Sequence, residues 1–163
     1  MDTEPRITLG IDGNVVYCKG DDGSLIWATP ISAIVLIAEY TTSAGPWIDD
    51  YFLNFWSCED GGLLKSSATF YAKGRDVAFQ ILSDKLGSKL QLGLCNATWW
   101  TSRVIWPPAL QNHVYFDLRV SETKSWIERL KQFCWGPTQE YSLSEEVRSF
   151  LQKHEPDADR VDP

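Results

Sequence analysis

Short apolar segments separated by polar turns fill residues 6–71, and this pattern limits the fold more than any other feature. Asp-Gly and Gly-rich clusters at Gly20–Gly23 and Glu59–Gly62 mark tight turns between β-branched or aromatic runs, as in β-hairpins. From Ile31 to Tyr40 the residues of both parities are mostly apolar, which predicts a strand covered on both faces and central in its sheet. The pattern predicts about five antiparallel strands in this part of the chain.

The apolar period then changes from strand-like to helical. Ala78, Ile81, Leu82 and Leu86 recur at helical spacing, and Gly87 lies where a C-terminal cap is expected. This spacing predicts a helix over residues 75–86.

Residues 88–112 lack a clear period, and the double proline Pro107-Pro108 excludes a helix interior or a central strand there. Alternation over residues 114–120 predicts a half-buried strand. A second amphipathic helix is predicted from an apolar stripe that consists of Trp126, Ile127, Leu130, Phe133 and Cys134. The spacing of Ser142 and Glu145 is that of a capping box, which predicts a short helix after it.

Strands followed by helices predict an α+β domain, an antiparallel meander of about five to seven strands backed by amphipathic helices. This outline resembles small barrels of the pleckstrin-homology kind, although one helix precedes the last clear strand. A single domain is predicted over residues 1–152, and the acidic, proline-containing residues 153–163 are predicted to form a frayed tail.

A second resemblance covers residues 7–120. It is carried by Trp27 with Ile31 and Ile34, by Asp49-Asp50-Tyr51-Phe52-Leu53, and by Trp100 with Arg103-Val104-Ile105-Trp106-Pro107-Pro108. In these features the chain resembles uncharacterised small bacterial α+β proteins. The resemblance implies no particular activity.

The charge is unevenly distributed along a chain whose net charge is −7. Residues 1–60 hold ten acids and two bases, whereas residues 61–135 hold five acids and ten bases. Either these segments neutralise each other in the fold, or the acidic segment meets a basic partner, as in an immunity-type protein. The bases form no arginine-rich or lysine-rich block, so nucleic-acid binding is not expected.

The chain is expected to be cytoplasmic. Its longest apolar run, Ala33–Ala38, has six residues and is too short to span a membrane, and the acidic N-terminus does not resemble a signal peptide. The four cysteines have no metal-binding spacing and are expected to be reduced and buried. No nucleotide-binding motif, catalytic residue, metal site or cofactor is predicted.

Tryptophan is the unusual component, with eight residues among 163. Three lie in an irregular segment with an arginine, and adjacent Trp99 and Trp100 cannot easily both face one core, so one ring is expected to be exposed, as in a binding hot spot. Arg103 is expected either to join that surface or to stack on a tryptophan. Candidate binding residues are Trp47, Asp49, Asp50, Trp99, Trp100, Arg103 and Trp106.

Asp49 and Asp50 are adjacent where a turn enters a strand. Neighbours on a strand point to opposite faces, so the two carboxylates cannot share a proton in an acid–base pair. They are expected to be turn carboxylates, or part of an acidic contact edge.

The sequence therefore favours a non-enzymatic module that binds another protein. The alternatives are a small-ligand domain with a pocket lined by Trp99, Trp100 and Trp106, and an immunity-type protein that captures a basic partner. An enzyme is the third option. The sequence does not indicate the oligomeric state.

Overall fold

The computed structural model describes residues 7–42, 50–97, 99–120 and 139–155. The strands in these ranges are β1 (Ile7–Asp12), β2 (Val15–Gly20), β3 (Leu25–Pro30), β4 (Ile34–Thr41), β5 (Tyr51–Glu59), β6 (Gly62–Thr69), β7 (Thr101–Trp106), β8 (Phe116–Val120) and β9 (Gln139–Leu143). The helices are α1 (Arg75–Leu86) and α2 (Glu145–Gln152). The protein is thus α+β.

The strands form three antiparallel sheets. An N-terminal sheet has the order β1-β2-β3, a central sheet has the order β6-β5-β4-β7, and a hairpin joins β8 to β9. None of these sheets closes into a barrel within the ranges that the structure describes. The N-terminal and central sheets each begin as a meander, and β7 then adds to the free side of β4.

Strand β4 is an inner strand of the central sheet, as its two-sided apolar pattern predicts. It pairs with β5 on one side and β7 on the other. One face of the central sheet packs on α1 and the N-terminal sheet, through a core that includes Ile37, Phe55 and Phe79. The other face packs on α2 through Leu36 and Val147. Strand β4 contributes Ile34 and Ile37 to the first core and Leu36 and Ala38 to the second.

Helix α1 confirms the prediction from its spacing, and Gly87 adopts the left-handed conformation at its C-cap. The capping residue predicted at Ser142 is wrong by two positions: Ser142 lies in β9, and Ser144 caps α2 by accepting a hydrogen bond from the Val147 amide at 3.4 Å. A serine hydroxyl can cap only from the position that directly precedes the helix.

Strand β7 was not expected, since it lies in the segment without a clear period. Its pairing with β4 shifts between Ile37 and Ala38, which places Ile105 opposite no single partner and breaks the alternation. The predicted strand over residues 114–120 is present as β8, two residues shorter. The predicted helix that contains Trp126 lies outside the described residues, as does most of the predicted tail.

No described helix has the length and apolar character needed to span a bilayer. Cys18, Cys58 and Cys95 are free thiols, of which only Cys18 is fully buried. Burial raises the pKa of the Cys18 thiol. Cys95 is exposed, so the expectation that the cysteines fill the core is wrong at that position.

Candidate interaction site

One end of the central sheet gathers several of the predicted site residues. Strand β4 ends there and β5 begins there, and the Thr42 amide donates to the Asp50 carbonyl at 2.6 Å. The Thr41 hydroxyl donates to the Trp99 carbonyl at 2.8 Å, just before β7 begins. The Tyr71 hydroxyl, just after β6, donates to the Asp50 carboxylate at 3.0 Å. We call the surface formed by Thr42, Asp50, Tyr71 and Trp99 the Trp99 end.

The Trp99 end carries two exposed aromatic rings. Trp99 is 67% exposed and Tyr71 is 47% exposed. The other tryptophans of the described ranges, Trp27, Trp56, Trp100 and Trp106, are all half-buried. An indole in water costs hydrophobic free energy that burial against a partner would recover, which is why exposed tryptophan is enriched at binding hot spots.

A shallow depression of about 330 Å³ adjoins Tyr71. Its lining consists of Phe70, Tyr71, Ala72, Gly74, Arg75, Asp76 and Val77. The Arg75 guanidinium lies 3.6 Å from the centre of the Phe70 ring and donates to the Phe70 carbonyl at 2.6 Å. It also bonds the Asp76 carboxylate at 2.7 Å, so its charge is already partnered. Val77, at the rim, is exposed.

A buried ionic network centred on Glu39 lies next to the Trp99 end, two residues before Thr41 on β4. The Glu39 side chain is fully buried in β4, and its carboxylate accepts hydrogen bonds from the Tyr51 hydroxyl and from Arg103 Nε on β7. The Gly93 amide donates to the same carboxylate at 2.9 Å. Burial, and then the bond to Glu39, raises the pKa of Tyr51. A buried carboxylate needs such partners, because an unpaired one would be strongly destabilising.

Arg103 is committed to this network. Its Nη2 donates to the Gln91 carbonyl at 2.5 Å, and its Nη1 donates to the Asn112 side chain at 2.7 Å. The guanidinium therefore joins β4, β7 and two loop segments, and its side chain is 23% exposed. These contacts give Arg103 a positioning role in the fold.

The structure brings Asp50, Trp99 and Trp100 to the same end of the sheet. Trp106 is the last residue of β7, roughly 16 Å from the first residue, Thr101, at about 3.3 Å per residue. It packs against the core on the α1 side. The full length of β7 thus separates Trp99 from Trp106, and the three tryptophans do not line one pocket. Trp47 and Asp49 lie outside the described residues.

Glu39 is the residue that sequence reasoning missed. The signal was present, because Glu39 is a lone carboxylate in a strand that reads as apolar on both faces. Such a residue is buried only with a partner, and Arg103 was available.

The described residues contain no group of three His, Cys, Asp or Glu side chains placed to hold a metal ion. His154 follows the end of α2, and its Nδ1 lies 2.9 Å from the Phe150 carbonyl, which places this ring on the last turn of that helix.

Comparison of the chain with protein-family models, with curated proteins and with solved structures finds no match of any kind.

Proposed function

We propose that this protein is a non-enzymatic interaction module that binds another protein through the Trp99 end. The observation that carries the proposal is the 67% exposure of Trp99 on a sheet end whose backbone is fixed by hydrogen bonds. A rigid, exposed indole offers a large contact area at little cost in conformational entropy.

Tyr71 supports the same surface. It is the second exposed ring of the Trp99 end, and its bond to Asp50 holds the phenol in one orientation. Aromatic anchors that are held in place before binding lose less entropy when a partner arrives. The proposal includes a cytoplasmic location, which the free thiols of Cys18, Cys58 and Cys95 support, because thiols stay reduced there.

The test compares immobilised wild type, Trp99→Ala and Leu64→Ala in capture from a native lysate. Leu64 is the matched control, because it is 54% exposed but lies near the start of β6, at the other end of the sheet. A partner identified by mass spectrometry should be retained by wild type and Leu64→Ala. Its affinity for Trp99→Ala should fall about 30-fold, as for a hot-spot residue. Equal retention of every captured protein by all three variants would contradict the proposal.

The salt dependence of that complex tests the immunity-type form of the proposal. A basic partner attracted by the acidic N-terminal part of the chain should be released as salt rises, because exposed charges are screened beyond about 10 Å at 0.1 M salt. If salt does not change the affinity of the complex but Trp99→Ala weakens it, the contact is apolar and the immunity-type form of the proposal fails.

The depression beside Tyr71 favours a second candidate, a small-ligand site. Its volume of about 330 Å³ is at the lower limit for such sites, and the exposed ring of Tyr71 offers an aromatic surface, since Arg75 is already paired with Asp76 and stacked on Phe70. Val77→Arg should obstruct it. Loss of a bound metabolite, detected by native mass spectrometry, in Val77→Arg but not in Trp99→Ala would favour this candidate.

A further inference from the structure

We propose that Glu39 and Arg103 are positioning residues that hold the irregular segment 91–97 on the central sheet and thereby fix the approach of the chain to Trp99. The inference rests on the proposed function only where it gives the held segment a role in presenting Trp99 to a partner. The positioning itself is a property of the free protein and can be tested without a partner.

The segment 91–97 has no helix or strand, so its backbone polar groups need other partners. Three of them are met by the network. Glu39 accepts from the Gly93 amide, Arg103 donates to the Gln91 carbonyl, and the Tyr51 hydroxyl accepts from the Leu94 amide at 3.4 Å. Leu92 and Leu94 pack against the core on the α1 side, so the segment is held by contacts of both kinds.

The close approach of Gly93 to Arg103 shows how tightly the segment is seated. A Cβ atom at Gly93 would lie 2.5 Å from Cζ of Arg103 and 3.0 Å from its Nη1. The guanidinium has no simple escape, because Glu39, Gln91 and Asn112 hold it from three sides. Glycine at this position therefore allows the backbone to reach the ion pair.

The link to Trp99 runs along β4. Glu39 pairs with Arg103 and Thr41 pairs with Thr101 in the same register, and residues two apart on a strand share a face. Thr41 holds the Trp99 carbonyl, while Glu39 holds the backbone six residues earlier at Gly93. Two polar side chains of β4, Glu39 and Thr41, thus hold the backbone at Gly93 and at Trp99.

An ion pair is a poor choice if stability alone is required. Apolar residues of similar volume are often as stabilising as a buried pair, whereas an ionic network allows fewer alternative arrangements. This favours a positioning role for the pair.

Hydrogen–deuterium exchange on the intact chain tests the proposal. Arg103→Lys keeps a positive charge near Glu39 but cannot make all three bonds of the guanidinium, and Gly93→Ala pushes the guanidinium away from the other side. Glu59→Gln is the control, because the Glu59 carboxylate accepts from the Ser57 hydroxyl at 2.9 Å and lies at the end of β5 opposite to Tyr51.

We expect exchange in peptides that cover residues 91–97 to rise about 10-fold or more in Arg103→Lys and Gly93→Ala, with less than about a 2-fold change in β5 and in Glu59→Gln. Unchanged exchange of the segment in both variants would overturn the proposal, and so would an equal rise throughout the chain. The Trp99-dependent complex is measured separately. If Trp99→Ala abolishes binding while exchange is unchanged in both segment variants, the proposed function stands and the positioning role fails. If exchange rises locally but no complex depends on Trp99, the reverse holds.

Discussion

The two faces of the central sheet carry two buried polar networks of different kinds. On the α1 side, Glu39 and Arg103 form an ionic network with Tyr51. On the α2 side, the Tyr115 hydroxyl accepts from Asn54 Nδ2 at 3.0 Å and from Trp56 Nε1 at 2.8 Å, without any charge. Each network attaches a chain segment outside the sheet to its strands. The same sheet thus holds an irregular loop by an ion pair on one face and a packed tyrosine by neutral hydrogen bonds on the other.

Of the changes to the two networks, the loss of the Glu39 carboxylate is expected to lower stability most. Glu39→Ala leaves the Arg103 guanidinium and the Tyr51 hydroxyl without their acceptor, and should lower the free energy of unfolding by about 3–5 kcal/mol. Urea unfolding at neutral pH measures it. Glu59→Ala, which removes a carboxylate nearer the surface, should cost less than about 1 kcal/mol. Similar costs for both variants would show that the ionic network has no special weight.

Alkaline pH should act on the neutral network. Burial raises the pKa of Tyr115 to about 12. An unfolded tyrosine titrates near 10, so between about pH 10 and 12 the unfolded chain has lost a proton that the folded chain retains. Stability should be fully present below about pH 10 and fall by about 2–3 kcal/mol as pH rises through the folded pKa. The urea midpoint, followed from about pH 9 to 12, checks this.

Tyr115→Phe separates the contribution of Tyr115 to this alkaline loss of stability from that of the other titrating groups. The variant should show a shallower alkaline slope, with the remainder due to Tyr51, Tyr40 and Cys18, whose pKa values are also raised by burial. An unchanged slope would mean that Tyr115 is not the group that titrates.

At neutral pH the cost of Tyr115→Phe should be smaller than that of Glu39→Ala. The variant leaves the Asn54 and Trp56 donors without an acceptor, for which we expect about 1–3 kcal/mol. Tyr71→Phe is the matched control, because the Tyr71 hydroxyl donates to the Asp50 carboxylate at the exposed end of the sheet, and we expect a change in stability of less than about 1 kcal/mol. Thermal or urea unfolding of both variants gives the ranking, and a larger loss in Tyr71→Phe would reverse it.

The smallest effect on stability is expected at Trp99. Because its ring is mostly in water, Trp99→Ala should alter the free energy of unfolding by no more than about 0.5 kcal/mol. Urea unfolding checks this value. A loss above about 2 kcal/mol would mean that the ring is packed and unavailable as a contact surface.

Local signals account for what the sequence predicted of the fold. The turns, the two-sided apolar run of β4 and the spacing of α1 are each contained within a dozen residues or so. Strand β7 escaped because its shifted pairing with β4 disturbs the alternation at Ile105. The cap of α2 was displaced because serine occurs both at 142 and at 144, and only tertiary contacts decide which one precedes the helix.

The candidate site was less accessible to sequence reasoning, because its contacts are long-range. Arg103 was identified, but its partner Glu39 is 64 positions away in sequence. The tryptophan doublet indicated that one ring faces outward, and no local pattern decides which of Trp99 and Trp100 it is. That choice depends on long-range contacts of the chain just before β7, such as the bond from the Thr41 hydroxyl to the Trp99 carbonyl, which sequence periodicity does not reveal.

Hydroxyl-radical footprinting of the tryptophans tests the central claim most directly, with Trp99 and Trp106 at the two ends of β7 compared in one sample. In the free protein Trp99 should oxidise several times faster than half-buried Trp106, and in the complex with a captured partner Trp99 alone should become protected. Equal oxidation of the two rings in the free protein, or a complex that forms while Trp99 stays fully reactive, would contradict the account.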